Sequence, residues 1–236
     1  MSRPFKFKQF SIHQEINAQK IGTDSMLLGA WTTGNFNRIL DIGTGTGILA
    51  LMQAQKNPQA EVTAIEPDLE SLNEARENFG NSPFKSRIMA VHSPLQQFGA
   101  MEKFDLIISN PPYFENAFLS EDADRNRARH TEDLPVHELY ECSAALLAEN
   151  GTFAVVIPFE EEHNHLHRAF HEGLYASKIL RTIRKDGTFK RSLIAYSFDD
   201  KAPELTEMLV KDSNNRYSTE YITLTKDFYL KDLSQV

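Results

Sequence analysis

The sequence predicts an α/β fold built on a doubly wound, mostly parallel sheet of seven strands, one of them antiparallel. Between residues 38 and 198, short apolar runs alternate with amphipathic runs of helical length. This pattern is typical of a parallel sheet covered by helices on both faces. A glycine-rich turn follows the first of these strands, where open α/β sheets bind their ligands. The last two strands flank Asp186 and Gly187, a pair that favours a hairpin and hence the antiparallel strand.

The elements of the first half are predicted from these patterns in order. Residues 1–35 are expected to be irregular except for a helix over 25–31, which Asp24 would cap at its N-terminus. The regular part continues with strands at 38–42, 62–65, 87–91 and 104–109 and with helices at 48–55 and 68–79. Two prolines end the last strand, because proline donates no hydrogen bond to a neighbouring strand.

The second half continues the alternation and then changes character. It contains a predicted helix at 136–149, a strand at 152–157, a helix at 160–172 and strands at 177–183 and 192–198. A short helix over 203–210, a polar linker over 212–218 and an aromatic segment over 221–230 are expected to follow. Because no interdomain linker is evident, the chain 1–236 is expected to be one domain, with a core at 38–198 and extensions at 1–35 and 201–236.

The composition is typical of a globular, intracellular protein. The 236 residues are 41% hydrophobic and 10% aromatic, as in globular domains. The single cysteine, Cys142, excludes an internal disulfide and suits a reducing compartment. We expect a soluble, cytoplasmic protein without membrane attachment, because the sequence shows neither a charged-then-apolar leader nor an apolar run of about 20 residues.

The strongest chemical signal is the tetrapeptide Asn110, Pro111, Pro112 and Tyr113, which directly follows the strand at 104–109. The amide oxygen of Asn110 and the carbonyl of Pro111 can each accept one N–H hydrogen bond, and the ring of Tyr113 can stack on a flat base. Such a set would hold an exocyclic amine with its lone pair aimed at an electrophile. These four residues are the candidate catalytic residues; a plain proline turn is the alternative interpretation of the tetrapeptide alone.

The glycine-rich turn predicts the cofactor site. Its candidate ligand-binding residues are Asp41, Gly43, Thr44, Gly45 and Gly47, and their spacing differs from the G-x-G-x-x-G dinucleotide motif. An acid before the turn suits a cationic amino-acid group better than a pyrophosphate, and Glu66 at the next strand end is placed to accept hydrogen bonds from a ribose. An ammonium, a ribose and an adenine without phosphate occur together in S-adenosyl-L-methionine. A ligand-free turn and an exposed surface acid are the alternatives.

With both motifs placed, the chain resembles the class I S-adenosylmethionine-dependent methyltransferases, whose sheet is Rossmann-like, over about residues 38–198. Asn-Pro-Pro-Tyr is the signature of the branch that methylates amino groups. The segments 5–10, 22–24, 27–31, 129–131 and 228–230 are similar to the bacterial valine-tRNA adenine-N6 methyltransferases. The resemblance implies N6-methylation of adenosine 37 in the anticodon loop of tRNA1(Val).

The resemblance also implies roles for individual residues. The glycine turn would line the methionine and ribose of the cofactor, Glu66 the ribose, and the tetrapeptide the target adenine, with Asn110 also beside the cofactor. Thr23 and Asp24 would close over the methionine end. One departure concerns the cofactor's adenine amine, which many relatives hold with an acid near the end of the third strand. Ser93 stands in that neighbourhood here and is the candidate acceptor.

Basic residues supply candidates for RNA contact. The net charge of −8 argues against a broad nucleic-acid surface, so any such surface would be local. The long charged loop at 115–135 is typical of a lid. The candidates are Arg125, Arg127, Arg129 and His130 in this loop and Lys6, Lys8, Lys190 and Arg191 elsewhere. The loop arginines are equally suited to pairing with neighbouring acids.

Other functions are weighed against this interpretation. His163, His167 and His171 share a helical face, but no cysteine or acid cluster accompanies them, so no metal is expected. An rRNA, DNA or protein-glutamine methyltransferase would also suit the tetrapeptide, and a non-catalytic RNA-binding protein could keep the fold. The oligomeric state is left open by the sequence.

Overall fold

The computed structural model describes residues 4–15, 21–112 and 134–233. The N-terminal part forms a short antiparallel hairpin and one helix: β1 (Phe5–Lys6), β2 (Ser11–Ile12) and α1 (Thr23–Trp31). The alternating part comprises β3 (Arg38–Ile42), α2 (Ile48–Lys56), β4 (Glu61–Glu66), α3 (Leu69–Gly80), β5 (Ile88–His92) and β6 (Phe104–Ser109). It continues with α4 (Val136–Leu146), β7 (Leu147–Pro158), α5 (Glu162–His171), β8 (Tyr175–Ile183), β9 (Phe189–Ser197), β10 (Glu204–Leu209) and α6 (Thr219–Thr225).

The main sheet confirms the predicted fold class. Within the described ranges it has eight strands in the order β10-β8-β9-β7-β6-β3-β4-β5. All neighbouring pairs are parallel except those of β9, which runs antiparallel to both β7 and β8. The hairpin that contains Asp186 and Gly187 therefore supplies the one antiparallel strand, as predicted.

The predicted strand count of seven and the predicted helix over residues 203–210 are both wrong. Residues Glu204–Leu209 form β10, which pairs in parallel with β8 from Glu204 opposite Lys178 to Leu209 opposite Ile183. Glutamate, leucine and methionine favour helix locally, but that preference is weak and tertiary contacts override it. The open edge of β8 offers backbone hydrogen bonds, and pairing there buries Met208.

Two helix ends also differ from expectation for structural reasons. The helix predicted over 136–149 stops at Leu146, because Leu147 already pairs with Phe104 of β6. Asp24 does not cap α1: the N-cap position belongs to Gly22 and has no side-chain hydrogen bond. Asp24 lies inside the first turn, where its carboxylate accepts a hydrogen bond from Arg191 of β9.

Helices cover both faces of the sheet, so central strands such as β3 and β6 are buried on both sides, whereas the edge strands β5 and β10 are partly exposed. One core contains α1, α2 and the N-terminal hairpin together with Phe228, and the other contains α4 and Ala169 of α5. Phe7 pairs with Tyr229 through a β-bridge, which joins the two chain extensions on the same face. Across residues 4–15, 21–112 and 134–233, no helix is long and apolar enough to cross a bilayer.

The parallel register brings several strand ends to one edge of the sheet. Ile42, the last residue of β3, lies opposite Ile65 of β4 and Ser109 of β6. The hydroxyl of Ser109 also donates to the carbonyl of Ile42, at 3.0 Å. The segments that follow β3, β4 and β6 therefore meet in space, although they are far apart in sequence.

Candidate active site

The turn between β3 and α2 needs glycine for two different reasons. Gly43 and Gly47 have φ angles of +67° and +84°, in the region where side chains are strained. A Cβ on Gly47 would lie 2.4 Å from the ring of Phe79, whereas no described atom lies within 4 Å of a Cβ on Gly43. Gly47 thus allows close packing against α3, and Gly43 leaves open space beside the turn.

Asp41 supports this turn from inside the protein. One carboxylate oxygen, Oδ2, accepts hydrogen bonds from the Thr44 hydroxyl at 2.6 Å and from the Ala50 amide at 3.1 Å. The other oxygen, Oδ1, is buried and has no partner among the described residues. Burial raises the pKa of Asp41 to about 7, against the lowering effect of the two hydrogen bonds. Asp41 therefore ties the turn to the start of α2.

Glu66, the last residue of β4, holds the same turn from the side. Its Oε2 accepts a hydrogen bond from the Gly45 amide at 2.9 Å, and Oε1 accepts one from the Asp68 amide at 3.2 Å. Burial raises the pKa of this carboxyl, although the two backbone hydrogen bonds act in the opposite direction. The carboxylates of Asp41 and Glu66 thus hold the turn by hydrogen bonds to Thr44 and Gly45.

Asn110 follows β6 and faces the turn across a small cavity. Its side-chain nitrogen, Nδ2, donates a hydrogen bond of 2.9 Å to the hydroxyl of Ser25 in α1. The cavity measures about 40 Å³ and is lined by Ile21, Ser25, Gly43, Thr44, Gly45, Thr46, Ile48, Leu49 and Asn110. Pro111 is half-buried and Pro112 is exposed. Tyr113 lies outside the described residues.

Thr23, Asp24 and Ser93, which were also predicted as cofactor residues, do not line this cavity. Thr23 and Asp24 belong to the first turn of α1, and the Asp24 carboxylate is drawn towards β9 by Arg191, with 2.7 Å between Oδ2 and Nε. Ser93 follows β5 and donates its amide to the carbonyl of Glu66 at 3.2 Å. Its hydroxyl donates to the carbonyl of Pro94 at 2.9 Å, so the oxygen remains able to accept a hydrogen bond.

The predicted RNA-contact residues fall into separate groups. Arg125, Arg127, Arg129 and His130 lie outside the described residues. Lys190 and Arg191 are the second and third residues of β9, and Arg191 pairs in register with Pro158 at the end of β7. They therefore lie at the same edge of the sheet as the glycine turn. Lys6 and Lys8 belong to the N-terminal hairpin, and the ammonium of Lys8 donates to the carbonyl of Lys226 at 2.6 Å.

Two other features lie apart from this edge. A larger cavity of about 290 Å³ is formed by Lys8 and residues of the C-terminal segment 222–233. The rings of His167 and His171 contact each other on α5, with 3.3 Å between their Nε2 atoms. Nowhere in the described ranges do three or more His, Cys, Asp or Glu side chains form a group that could hold a metal.

Sequence reasoning missed Ser25, which contacts Asn110 and lines the cavity. The available signal was its place in the same helical turn as Thr23 and Asp24, which are both predicted cofactor residues. Ile21, Ile48 and Leu49 were also missed, because apolar residues near a turn are ordinarily part of the core. Their position in the cavity depends on how α1 packs against α2.

Comparisons with known proteins agree with this arrangement. The family model described as "Methyltransferase small domain" matches residues 18–181. Two curated relatives carry the name tRNA1(Val) (adenine(37)-N6)-methyltransferase. The protein of Bacteroides fragilis is 44% identical over 237 aligned positions, which cover 98% of this chain and 100% of the relative. That of Flavobacterium psychrophilum is 40% identical over 235 positions, which cover 96% and 99%.

Solved structures share the fold at lower identity. A protein described as a predicted O-methyltransferase from Agrobacterium tumefaciens has a TM-score of 0.67 and 18% identity, covering 87% of this chain and 96% of its own. A T. thermophilus 16S rRNA methyltransferase in complex with AdoMet and guanosine has a TM-score of 0.58 and 19% identity, covering 84% and 50%. From the family model and the near-full-length relatives, the chain belongs to the methyltransferase family that contains the tRNA1(Val) (adenine(37)-N6)-methyltransferases.

Proposed function

We propose that this methyltransferase transfers the methyl group of S-adenosyl-L-methionine to the N6 amine of adenosine 37 in tRNA1(Val). The observation that supports this most is the shared cavity between the glycine turn and Asn110. It puts a candidate amine acceptor next to a candidate cofactor site, at the edge where open α/β sheets bind ligands. The names of the relatives supply the tRNA and the nucleotide.

The residues of the turn fit the cofactor. Gly43 leaves open space where a Cβ would stand, which allows close approach of a ligand. The buried Oδ1 of Asp41, which has no partner in the part of the chain that the structure describes, is an acceptor that the positive charge of an amino-acid group would stabilise. Glu66 would accept hydrogen bonds from the ribose, and Ser93 from the adenine amine. When bound, the cofactor supplies a methyl group on a positively charged sulfur.

The chain's own contribution to the reaction is alignment. Asn110 Oδ1 and the Pro111 carbonyl would accept the two hydrogens of the target amine, and Tyr113 would stack on the adenine. Orientation of this kind contributes up to about 7 to 11 kcal/mol in well-aligned systems. Because an adenosine of the anticodon loop is already unpaired, turning it out towards Asn110 would cost at most a few kcal/mol. Stacking on Tyr113 would offset about 1 to 3 kcal/mol of this.

Contacts with the tRNA are assigned to basic residues near the site. Lys190 is exposed at the same edge as the cavity. Further candidates for contact with the anticodon loop are Arg125, Arg127, Arg129 and His130. Lys6, Lys8 and Arg191 are weaker candidates, since Lys8 and Arg191 already make contacts within the protein. Binding through phosphates would weaken as salt concentration rises.

The test is methyl transfer to defined RNA. Labelled S-adenosyl-L-methionine is supplied with an unmodified tRNA1(Val) transcript, and the product is identified by nucleoside mass spectrometry. The matched control is a transcript whose adenosine 37 is replaced by guanosine. We expect N6-methyladenosine in the first transcript and none in the second. Labelling of the second transcript, or of other RNA, DNA or protein alone, would overturn the proposed substrate.

Asn110→Ala tests the catalytic residue. Transfer should fall by at least about 100-fold, because the variant loses an acceptor that aligns the amine. The Kd for S-adenosyl-L-methionine, measured by calorimetry, should stay within a few-fold, because the turn and Glu66 are untouched. Near wild-type turnover in the variant would overturn the assignment of Asn110 to the target amine.

A further inference from the structure

Asn78, near the end of α3, is a fully buried side chain that joins three parts of the chain. Its oxygen, Oδ1, accepts a hydrogen bond from the His13 amide at 2.8 Å. Its nitrogen, Nδ2, donates to the carbonyls of His13 and Thr46, each at 2.9 Å. His13 directly follows β2, and Thr46 belongs to the glycine turn. One residue of α3 therefore contacts both the N-terminal extension and the turn.

The partners of Asn78 determine which way its amide points. A backbone N–H can only donate a hydrogen bond, and a backbone carbonyl can only accept one. If the amide turned over, its oxygen would face two carbonyls and its NH₂ group would face an N–H. Because buried polar groups without partners are costly, the observed orientation is the one that satisfies all three backbone groups.

Asn78 supports a part of the glycine turn that the carboxylates do not reach. Those carboxylates hold residues 44–45 of the turn, whereas Asn78 holds the carbonyl of Thr46, which lines the cavity. The next residue of α3, Phe79, packs its ring so close to Gly47 that a Cβ there would lie 2.4 Å away. The end of the turn thus rests on two consecutive residues of α3.

The N-terminal extension is fastened to the same helix. His13 uses both its N–H and its carbonyl to pair with the Asn78 amide, as residues of antiparallel strands do with each other. One turn earlier in α3, the buried carboxylate of Glu74 accepts the amide of Glu15 through Oε1. Residues 13–15 therefore lie against α3, and Asn78 links them directly to the glycine turn.

We propose that Asn78 is a positioning residue that holds the glycine turn and residues 13–15 in the arrangement that binds S-adenosyl-L-methionine. This inference rests on the proposed function, because it takes the turn as the cofactor site. Asn78 does not line the cavity itself, so it acts through the turn. A turn that is already ordered loses little freedom when a ligand binds. Loss of Asn78 should therefore weaken cofactor binding more than it slows the chemical step.

The variant Asn78→Asp keeps the shape of the side chain and an acceptor for the His13 amide, but it loses both N–H donors. We expect the Kd for S-adenosyl-L-methionine, measured by calorimetry, to rise at least about 10-fold, because a carboxylate oxygen then faces the Thr46 carbonyl. The single-turnover rate at saturating cofactor and tRNA should stay within about threefold of the wild-type value. A Kd within about twofold of the wild-type value would overturn the positioning role.

Asn57→Asp is the matched control for loss of a buried amide. Asn57 is 5% exposed and lies at the end of α2 that is opposite to the glycine turn. It accepts the Phe36 amide at 3.2 Å and donates to the Gln53 carbonyl at 3.1 Å. This variant should lower the urea midpoint and leave the cofactor Kd near the wild-type value. Equal increases of Kd in the Asn57 and Asn78 variants would overturn the inference.

Hydrogen exchange in the wild-type protein provides a second test that needs no variant. Binding of S-adenosyl-L-methionine should slow exchange of the His13 amide, because the cofactor stabilises the turn to which Asn78 ties it. The reference is the Leu174 amide in the other core, which donates to the Ala169 carbonyl at 2.9 Å. Equal slowing of the two amides, or no slowing at His13, would overturn the inference.

The two proposals fail in different ways. If the wild-type protein bound the cofactor with the expected protection of His13 but methylated no tRNA, the proposed function would fail and the role of Asn78 would stand. If it methylated adenosine 37 while Asn78→Asp bound the cofactor as tightly as wild type, the role of Asn78 would fail and the function would stand. A wild-type protein that bound no cofactor would overturn both.

Discussion

At the scale of single residues, two buried carboxylates hold the glycine turn. Glu66 accepts the amides of Gly45 and Asp68, so Glu66→Ala leaves both donors without this acceptor. We expect the free energy of unfolding to fall by about 1 to 3 kcal/mol. The Kd for S-adenosyl-L-methionine should rise at least about 10-fold, because the proposed acceptor for the ribose hydroxyls is lost as well. Urea denaturation and calorimetry measure the two effects.

The matched control for this variant is Glu61→Ala. Glu61 begins the same strand but is exposed. Glu61→Ala should therefore change the free energy of unfolding by no more than about 0.5 kcal/mol and leave the Kd for S-adenosyl-L-methionine at the wild-type value. A Glu66→Ala protein that bound the cofactor as tightly as wild type would contradict the role assigned to this carboxylate.

At the scale of elements, α1 depends on a lysine from the neighbouring helix. The Lys56 ammonium of α2 donates to the carbonyls of Gly29 and Ala30 at 3.0 and 2.7 Å and also to that of Thr32. These contacts cap the C-terminus of α1, where carbonyls lack helical partners. Lys56→Met should therefore lower the free energy of unfolding by about 1.5 to 3 kcal/mol, seen as a lower urea midpoint.

Lys85→Met provides the comparison, because Lys85 is an exposed lysine outside α1 and α2. Its urea midpoint should match that of the wild type within error. If Lys56→Met behaved in the same way as Lys85→Met, the cap would contribute nothing measurable to α1.

At the scale of the whole molecule, two buried groups give stability opposite dependences on pH. Burial lowers the pKa of His165 to about 4, so the unfolded chain binds this proton more readily and stability rises with pH between about 4 and 6.5. Burial raises the pKa of Asp41 to about 7, so the folded chain holds that proton more readily. Stability through Asp41 therefore falls as pH rises from about 4 to 7.

Removing either group should expose the effect of the other. Asp41→Asn should make stability rise more steeply with pH between 4.5 and 6.5, and His165→Gln should make it rise less or fall. Each change in slope is at most about 1.4 kcal/mol per pH unit. Urea denaturation at three pH values measures the slopes, and His163→Gln, an exposed change on the same helix, should follow the wild type. Equal slopes in the wild type and in all three variants would refute this account.

The sequence by itself was sufficient for the elements whose signals are local. The predicted bounds of β3 and β6 match the structure, because each is a buried apolar run closed by a breaker, glycine in one case and proline in the other. The places of the glycine turn after β3 and of Asn110 after β6 were predicted for the same reason. Parallel alternation then implied that the two strand ends share an edge.

Tertiary structure alone decided the features that depend on partners distant in the chain. β10 exists because β8 offers an open edge, which overrides local helix preference. Asp24 pairs with Arg191 of β9 instead of capping its own helix. Ser25 and Asn110 lie 85 positions apart, and they meet because α1 packs over the edge at which β6 ends. Hydrogen bonds form only over about 3 Å. Which distant residues come that close depends on the folded structure, and a local sequence pattern does not contain that information.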